Sequence, residues 1–256
     1  MKKFATTLGV AALSTLSLLS FSANAEAADL ALRSDLLTKF TTSFVQTEGL
    51  AFDELALPKL DASQLYWDQG VDDVEIFFIN EGAGYKNQLF FSANDGPMTK
   101  IFDNISSTMS TRPEKNGVLT LGEGRKLKSF SGPTQLAFFL KSDGFNGGNN
   151  FFGADSYTGM TIDGQKINQD DVSHLIAYNY FDEVSKENYT ILGFEDLWGS
   201  EADGSDRDFN DVVFAVKGLT TKADLPAETP EPSALLGLVG LAAVVGSRRL
   251  KQSAAA

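Results

Sequence analysis

The sequence predicts an all-β protein, an antiparallel, jelly-roll-like β-sandwich, with a signal peptide before it and a single apolar helix after it. Three observations lead there. Short runs rich in β-branched and aromatic residues recur along the chain, separated by turns rich in Gly, Asn and Asp. No helical period intervenes between them, which favours antiparallel sheets over a parallel sheet with crossover helices. Finally, 43% hydrophobic residues with 20 Phe and 23 Gly in 256 residues suit a sheet-rich globule, in which large aromatics offset the entropy of ordering the loops.

In chain order, Met1-Lys2-Lys3 is a basic start, Phe4 to Phe21 an apolar run broken only by hydroxyl residues and glycine, and Ala23-Asn24-Ala25 a small-residue cleavage site. Residues 1–25 therefore read as a secretory signal peptide, and the mature chain is expected to begin at Glu26. Residues 26–64 form an N-terminal segment of weak pattern: Leu36, Leu37, Phe40 and Phe44 could make one helical stripe, against which Thr41-Thr42-Ser43 argues. The sandwich domain is expected over 65–218. Its strands are placed at 74–79, 88–93, 118–121, 135–141, 157–162, 172–181, 189–194 and 212–217. Ile76-Phe77-Phe78-Ile79 and Leu136-Ala137-Phe138-Phe139-Leu140 are apolar on both parities, as in strands covered on both faces.

After a polar linker, 219–229, come Pro230-Glu231-Pro232, an apolar membrane helix at 233–247, and the basic residues Arg248, Arg249 and Lys251. At about 1.5 Å per residue this helix falls short of the roughly 30 Å hydrocarbon core, so it is a marginal anchor. The basic cluster would keep the tail cytoplasmic and leave the domain outside the inner membrane.

The functional signal is concentrated between the last two strands. Glu195 and Asp196, then Asp206, Asp208, Asn210 and Asp211, offer carboxylate and amide oxygens within one short window. Hard cations such as Ca²⁺ take six to eight oxygen ligands in a flexible shell, and this set supplies them without nitrogen or sulfur. The spacing of Asp206, Asp208 and Asn210 opens like an EF-hand loop, but Asp211 stands where that loop needs Gly, Lys217 where it needs Glu, and a strand-like run follows. A loop between two strands keeps the chemistry without the EF-hand frame. The plain alternative is a solvated acidic turn, against which stands the repulsion among at least five crowded carboxylates. The Gly/Asn-rich loop 142–150 could wall the site or be a hairpin tip. His174, the single His, has no second His, Cys or Gly-x-Ser-x-Gly elbow to work with and reads as structural.

Gly193-Phe194-Glu195-Asp196 followed by Ser205 to Phe214 resembles the signature of the domain of unknown function 4114 family. Phe78 to Leu89, Ile101 to Asn104 and Phe138 to Lys141 extend the resemblance to roughly 65–218. It implies a secreted, β-rich, calcium-binding module and no assigned reaction. Pro230-Glu231-Pro232, the apolar helix and Arg248-Arg249 together resemble the PEP-CTERM sorting signal, which implies recognition and trimming by an exosortase and an association with exopolysaccharide at the cell surface.

A formal charge of −13 argues against nucleic acid as a partner, and the absence of Cys against thiolate metal sites. The expectation is an exported, non-enzymatic surface or matrix protein. Its partners would be the secretion machinery, an exosortase, the inner membrane in transit, and exopolysaccharide. A calcium-dependent carbohydrate-binding module, with a sugar platform at Trp67 or Trp198, is the alternative. A glycosidase pairing Glu195 with one of the Asp residues is disfavoured, because carboxylates committed to a cation serve poorly as acid and base.

Overall fold

A computed structural model describes residues 26–221, apart from 47–48, 53–54, 69–72, 128–129 and 131. The expected signal peptide, the linker from residue 222 and the sorting signal with its helix lie outside the described residues. Among the described residues no helix is long and apolar enough to cross a membrane.

The chain opens with strand β1 (Glu26–Ala31), helix α1 (Ser34–Lys39), a π-helical turn (Phe40–Phe44) and the small hairpin β2 (Val45–Gln46) and β3 (Gly49–Leu50). Next come β4 (Lys59–Leu60), β5 (Leu65–Trp67), β6 (Glu75–Glu81), β7 (Asn87–Ala93), β8 (Thr99–Ile105), β9 (Glu123–Lys126) and β10 (Thr134–Lys141). Then follow β11 (Phe151–Phe152), the hairpin β12 (Thr161–Ile162) and β13 (Gln165–Lys166), and finally β14 (Leu175–Asp182), β15 (Glu187–Phe194), β16 (Val212–Lys217) and β17 (Thr220–Thr221).

Two antiparallel sheets face each other. One runs β1-β9-β6-β16-β15-β14-β4, the other β17-β5-β10-β7-β8 with β11 beside β10. Their shared core holds Ile76, Phe78, Leu192, Phe194, Val212, Phe214 and Val216 from the first sheet, against Leu89, Phe91, Phe102 and Leu136 from the second. The Phe102 and Phe214 rings stack across it at 5.4 Å. A jelly roll mostly passes successive strands from sheet to sheet. Here β14, β15 and β16 stay in one sheet as a meander of hairpins, so the likeness to a jelly roll stops at the sandwich.

The two-sided apolar strands have their explanation in a third layer. Phe77 and Ile79 of β6, Ile191 of β15, and Val213 and Ala215 of β16 point away from the sandwich core. They meet Leu32, Leu36, Phe40, Phe44 and Phe52 of the N-terminal segment. The helical stripe therefore forms despite Thr41-Thr42-Ser43: the hydroxyls of Thr41 and Thr42 bond back to the carbonyls of Leu37 and Thr38, and burial decides. Each such side chain contributes roughly 1.5–3 kcal/mol by leaving water. On the second sheet, Phe139 rests against Tyr157 from the 151–167 segment, 5.3 Å between rings.

Several boundaries need correction. The segment 26–64 is part of the domain, since it supplies both edge strands of the seven-stranded sheet, β1 and β4. At the other end the fold runs past Gly218, because Thr220 and Thr221 pair with Tyr66 and Leu65. Residues 118–121 are not a strand: Leu119 makes a single bridge to Ser107 and Val118 is exposed. Within 157–162 only Thr161–Ile162 is strand, because Tyr157 closes a 3-10 turn and Gly159 takes a φ of 74°. The strand expected from 172 starts at Leu175.

Candidate metal centre

Phe194, the last residue of β15, lies opposite Val212, the first of β16, so Glu195–Asp211 is the connection of a hairpin between two central strands. Its base is pinned twice. The Asp196 N–H donates to Asp211 Oδ2 at 2.7 Å, and the Glu195 N–H to the His174 carbonyl at 3.1 Å. Within the loop, Ser205 Oγ accepts the Arg207 N–H at 3.3 Å and Asp208 Oδ1 accepts the Asn210 N–H at 3.1 Å. Two left-handed residues punctuate these turns, Arg207 (φ 55°) and Phe209 (φ 57°). Each costs about 1–2 kcal/mol relative to an ordinary conformation. The Arg207 guanidinium lies 4.8 Å over the Phe209 ring and donates to the Ser173 carbonyl, which holds the strained pair in place.

Two glycines let this loop lie close on the sheet. A Cβ on Gly193 would fall 2.7 Å from the Phe209 carbonyl oxygen, and one on Gly82 2.5 Å from Asn210 Oδ1. Both contacts are closer than real Cβ atoms tolerate.

The loop gathers Glu195, Asp206 and Asp208, whose nearest carboxylate oxygens all lie within 4.8 Å of one another. Glu195 is fully buried; its Oε1 accepts the Leu197 N–H at 3.3 Å, and its Oε2, also buried, has no hydrogen-bond partner. Three charges this close repel by roughly 3 kcal/mol per pair at an effective dielectric of about 20. Oxygens on opposite sides of a calcium ion lie up to about 5 Å apart, which suits this spacing. Burial pushes the Glu195 carboxyl up, opposed by its hydrogen bond with Ser205 and reinforced by Asp206. An orphaned buried oxygen beside two further carboxylates fits a hard divalent cation.

The other expected ligands stand along the adjoining wall. Asp196 Oδ2 accepts the Asn87 amide at 2.7 Å, and its main-chain carbonyl accepts Ser142 Oγ at 2.8 Å. Burial raises both Asp196 and Asp211, and the charge of Asp196 raises Asp211 further. Neighbouring buried carboxylates favour a proton or a cation beside them. The Asn210 amide nitrogen is turned to the Gln46 carbonyl at 3.1 Å. Asp196, Asp206, Asp208, Asn210 and Asp211 all line one open cleft of about 430 Å³.

The rest of the lining, Gly82, Ala83, Gly84, Tyr85 and Arg112, carries no sequence signal of a cation site. The pairing of β6 with β16 passes a bulge at Val213/Phe214 and runs on to Glu81 opposite Val212, and Asn80 ties Thr111, next to Arg112, through two 2.9 Å hydrogen bonds. The signal available was the glycine-rich run Glu81-Gly82-Ala83-Gly84-Tyr85 directly after an apolar strand. Beside it Glu81 is fully buried; Oε2 accepts Ser110 Oγ at 3.1 Å, Oε1 has no partner, and burial pushes the carboxyl up to about 7.

The 142–150 loop does not line the cleft; it buttresses Asp196 through Ser142, and Asp143 takes the Lys86 N–H at 3.2 Å. His174 is a fully buried strut. Trp67 is only 5% exposed, packed against Phe130, and so cannot be a sugar platform, whereas Trp198 is 47% exposed.

Residues 130–219 match the family model described as Domain of unknown function (DUF4114). The match takes in the acidic loop and its flanking strands and leaves out the likeness read upstream over 65–129. No curated protein and no solved structure matches the chain.

Proposed function

We propose that this chain is an exported, non-enzymatic protein of the cell surface or extracellular matrix, whose sandwich binds Ca²⁺ on the β15–β16 connection. Glu195 carries the reading. A carboxylate with a fully buried, unpartnered oxygen, facing Asp206 and Asp208, is a costly arrangement for a bare loop and a natural one for a cation ligand. The adjoining cleft, which Asp206 and Asp208 line, supplies further oxygens from Asp196, Asn210 and Asp211. Export and sorting rest on the sequence of the two ends: the signal peptide at 1–25, and Pro230, Glu231, Pro232, the apolar helix, Arg248 and Arg249 as an exosortase signal associated with exopolysaccharide.

Thermal melts of the purified chain test the cation. Millimolar calcium should raise the melting temperature over chelator, and magnesium should substitute poorly because it keeps its waters and demands a tight octahedron. Calcium at about 100 times its dissociation constant adds roughly 2.7 kcal/mol. Asp208→Asn should abolish that gain while leaving the chelated protein no less stable, since it also relieves repulsion. A melt unchanged by either ion overturns the reading.

A further inference from the structure

The calcium reading leaves one charged group of the cleft unexplained. Arg112 is exposed, lines the cleft together with Asp196, Asp206 and Asp208, and forms no ion pair among the described residues. Its guanidinium is braced against the backbone of Gly84, where a Cβ would come within 3.0 Å of it. Beside it the Tyr85 ring is 41% exposed on the rim. An arginine kept out of reach of nearby carboxylates, in an open cleft of about 430 Å³, is placed to meet something that enters the cleft.

We infer that the cleft binds a carboxylate-bearing sugar, a uronic acid unit of an acidic polysaccharide, held between the cation on the acidic loop and Arg112. The inference rests on the calcium reading. With the ion in place the charge of the acidic loop is largely offset, which leaves Arg112 as the positive group of the cleft on a chain whose formal charge is −13. The guanidinium fork matches a carboxylate with two parallel hydrogen bonds. Calcium accepts hydroxyl as well as carboxylate oxygens in its flexible shell, and a uronic acid offers both on one ring. The exposed face of Tyr85 carries the negative side of its quadrupole toward the C–H bonds of a sugar ring. An acidic peptide would satisfy Arg112 but supplies neither the vicinal hydroxyls nor the flat C–H face.

Isothermal titration of the calcium-saturated chain with a trigalacturonate, too short to gel with calcium, tests this, with galactotriose and triglutamate as neutral and peptide comparators. Calcium alone is titrated with the trigalacturonate as the blank. Binding should be seen for the trigalacturonate only and vanish in chelator. Arg112→Gln should weaken it at least tenfold while the calcium-dependent rise in melting temperature stays as in the parent. If that rise is present but the trigalacturonate does not bind, binds Arg112→Gln equally well, or is matched by triglutamate, the sugar assignment is overturned and the calcium site stands. If the rise itself is absent, both readings fall.

Discussion

His174 Nδ1 lies 3.1 Å from the backbone carbonyl of Glu195, the residue whose side chain heads the acidic cluster. The other ring nitrogen lies 2.8 Å from Asp170 Oδ2, which also accepts the Gly199 N–H at 2.7 Å. The ring stacks on Phe152 at 3.8 Å. One buried imidazole thus fixes the start of the site loop at two points, with burial lowering its pKa and Asp170 opposing that.

His174→Ala should therefore destabilise the chelated protein by about 2–4 kcal/mol, the sum of a cavity and stranded hydrogen-bond partners. Calcium affinity should fall with it, since Glu195 loses its anchor. Urea unfolding in chelator and in calcium measures both. A mutant as stable as the parent would remove the strut.

Gly193→Ala tests how closely the loop must lie on β15. The new Cβ would sit 2.7 Å from the Phe209 carbonyl oxygen and 2.6 Å from Leu50 Cδ1, so backbone as well as side chain must shift. The expected loss is about 1–3 kcal/mol, with calcium affinity reduced because Phe209 lies between Asp208 and Asn210. Ala tolerated without change in either quantity would show that the loop sits further out.

The pH dependence has a definite sign. Burial raises Glu195, Asp196 and Asp211, and takes Glu81 from 4.5 to about 7. Between its unfolded and folded values each group holds a proton in the native state that the unfolded chain has released, so stability falls as pH rises through that window. Asp182, held low by Ser185 and Arg33, acts in the opposite sense, but only in acid below the ordinary carboxylate range. The chelated protein should thus lose stability from about pH 5 upward, through the about 7 of Glu81 and on towards the about 9 of Asp211. Calcium binds the deprotonated groups, so its affinity should increase with pH and flatten that loss. Melts at pH 5, 6, 7 and 8 with chelator and with calcium decide it; a chelated protein that gains stability over the range contradicts the assignment.

What the sequence disclosed follows from which interactions leave a local trace. The strands of the core announce themselves because Val212 to Lys217 and Tyr189 to Phe194 must fill two apolar layers. The acidic loop is legible because all its members are close in sequence. By contrast, β9 (Glu-Gly-Arg-Lys) is held by backbone pairing to β6 and β1 and carries no apolar signature. In β8, Lys100 and Asp103 interrupt the pattern at a sheet edge. Arg112 reaches the cleft through a long-range tether, Thr111 on Asn80, that no spacing in the chain records. The role of the N-terminal segment was hidden for the same reason: Phe40 is meaningful only beside Tyr180 and Tyr189, at 5.2 and 5.9 Å.

The tail, not the domain, should determine where the protein remains. On the proposed reading, in which residues 1–25 direct export, deleting 230–256 should leave translocation intact and should change retention at the envelope, because the apolar run before Arg248, Arg249 and Lys251 is the sequence proposed to stop transfer. Trimming at both ends also removes Lys2 and Lys3, so the product would be more acidic than the −13 of the whole chain. Such a protein is repelled by an anionic matrix unless divalent cations bridge the two, and salt screens what remains beyond about 10 Å. Retention of the full-length form should accordingly drop when cells are washed with chelator, while the tail-deleted form should appear in the medium with or without it. Equal envelope-associated amounts of the two forms, together with a C-terminal mass that shows no trimming of the full-length chain, would mean that the tail is not a processed sorting signal.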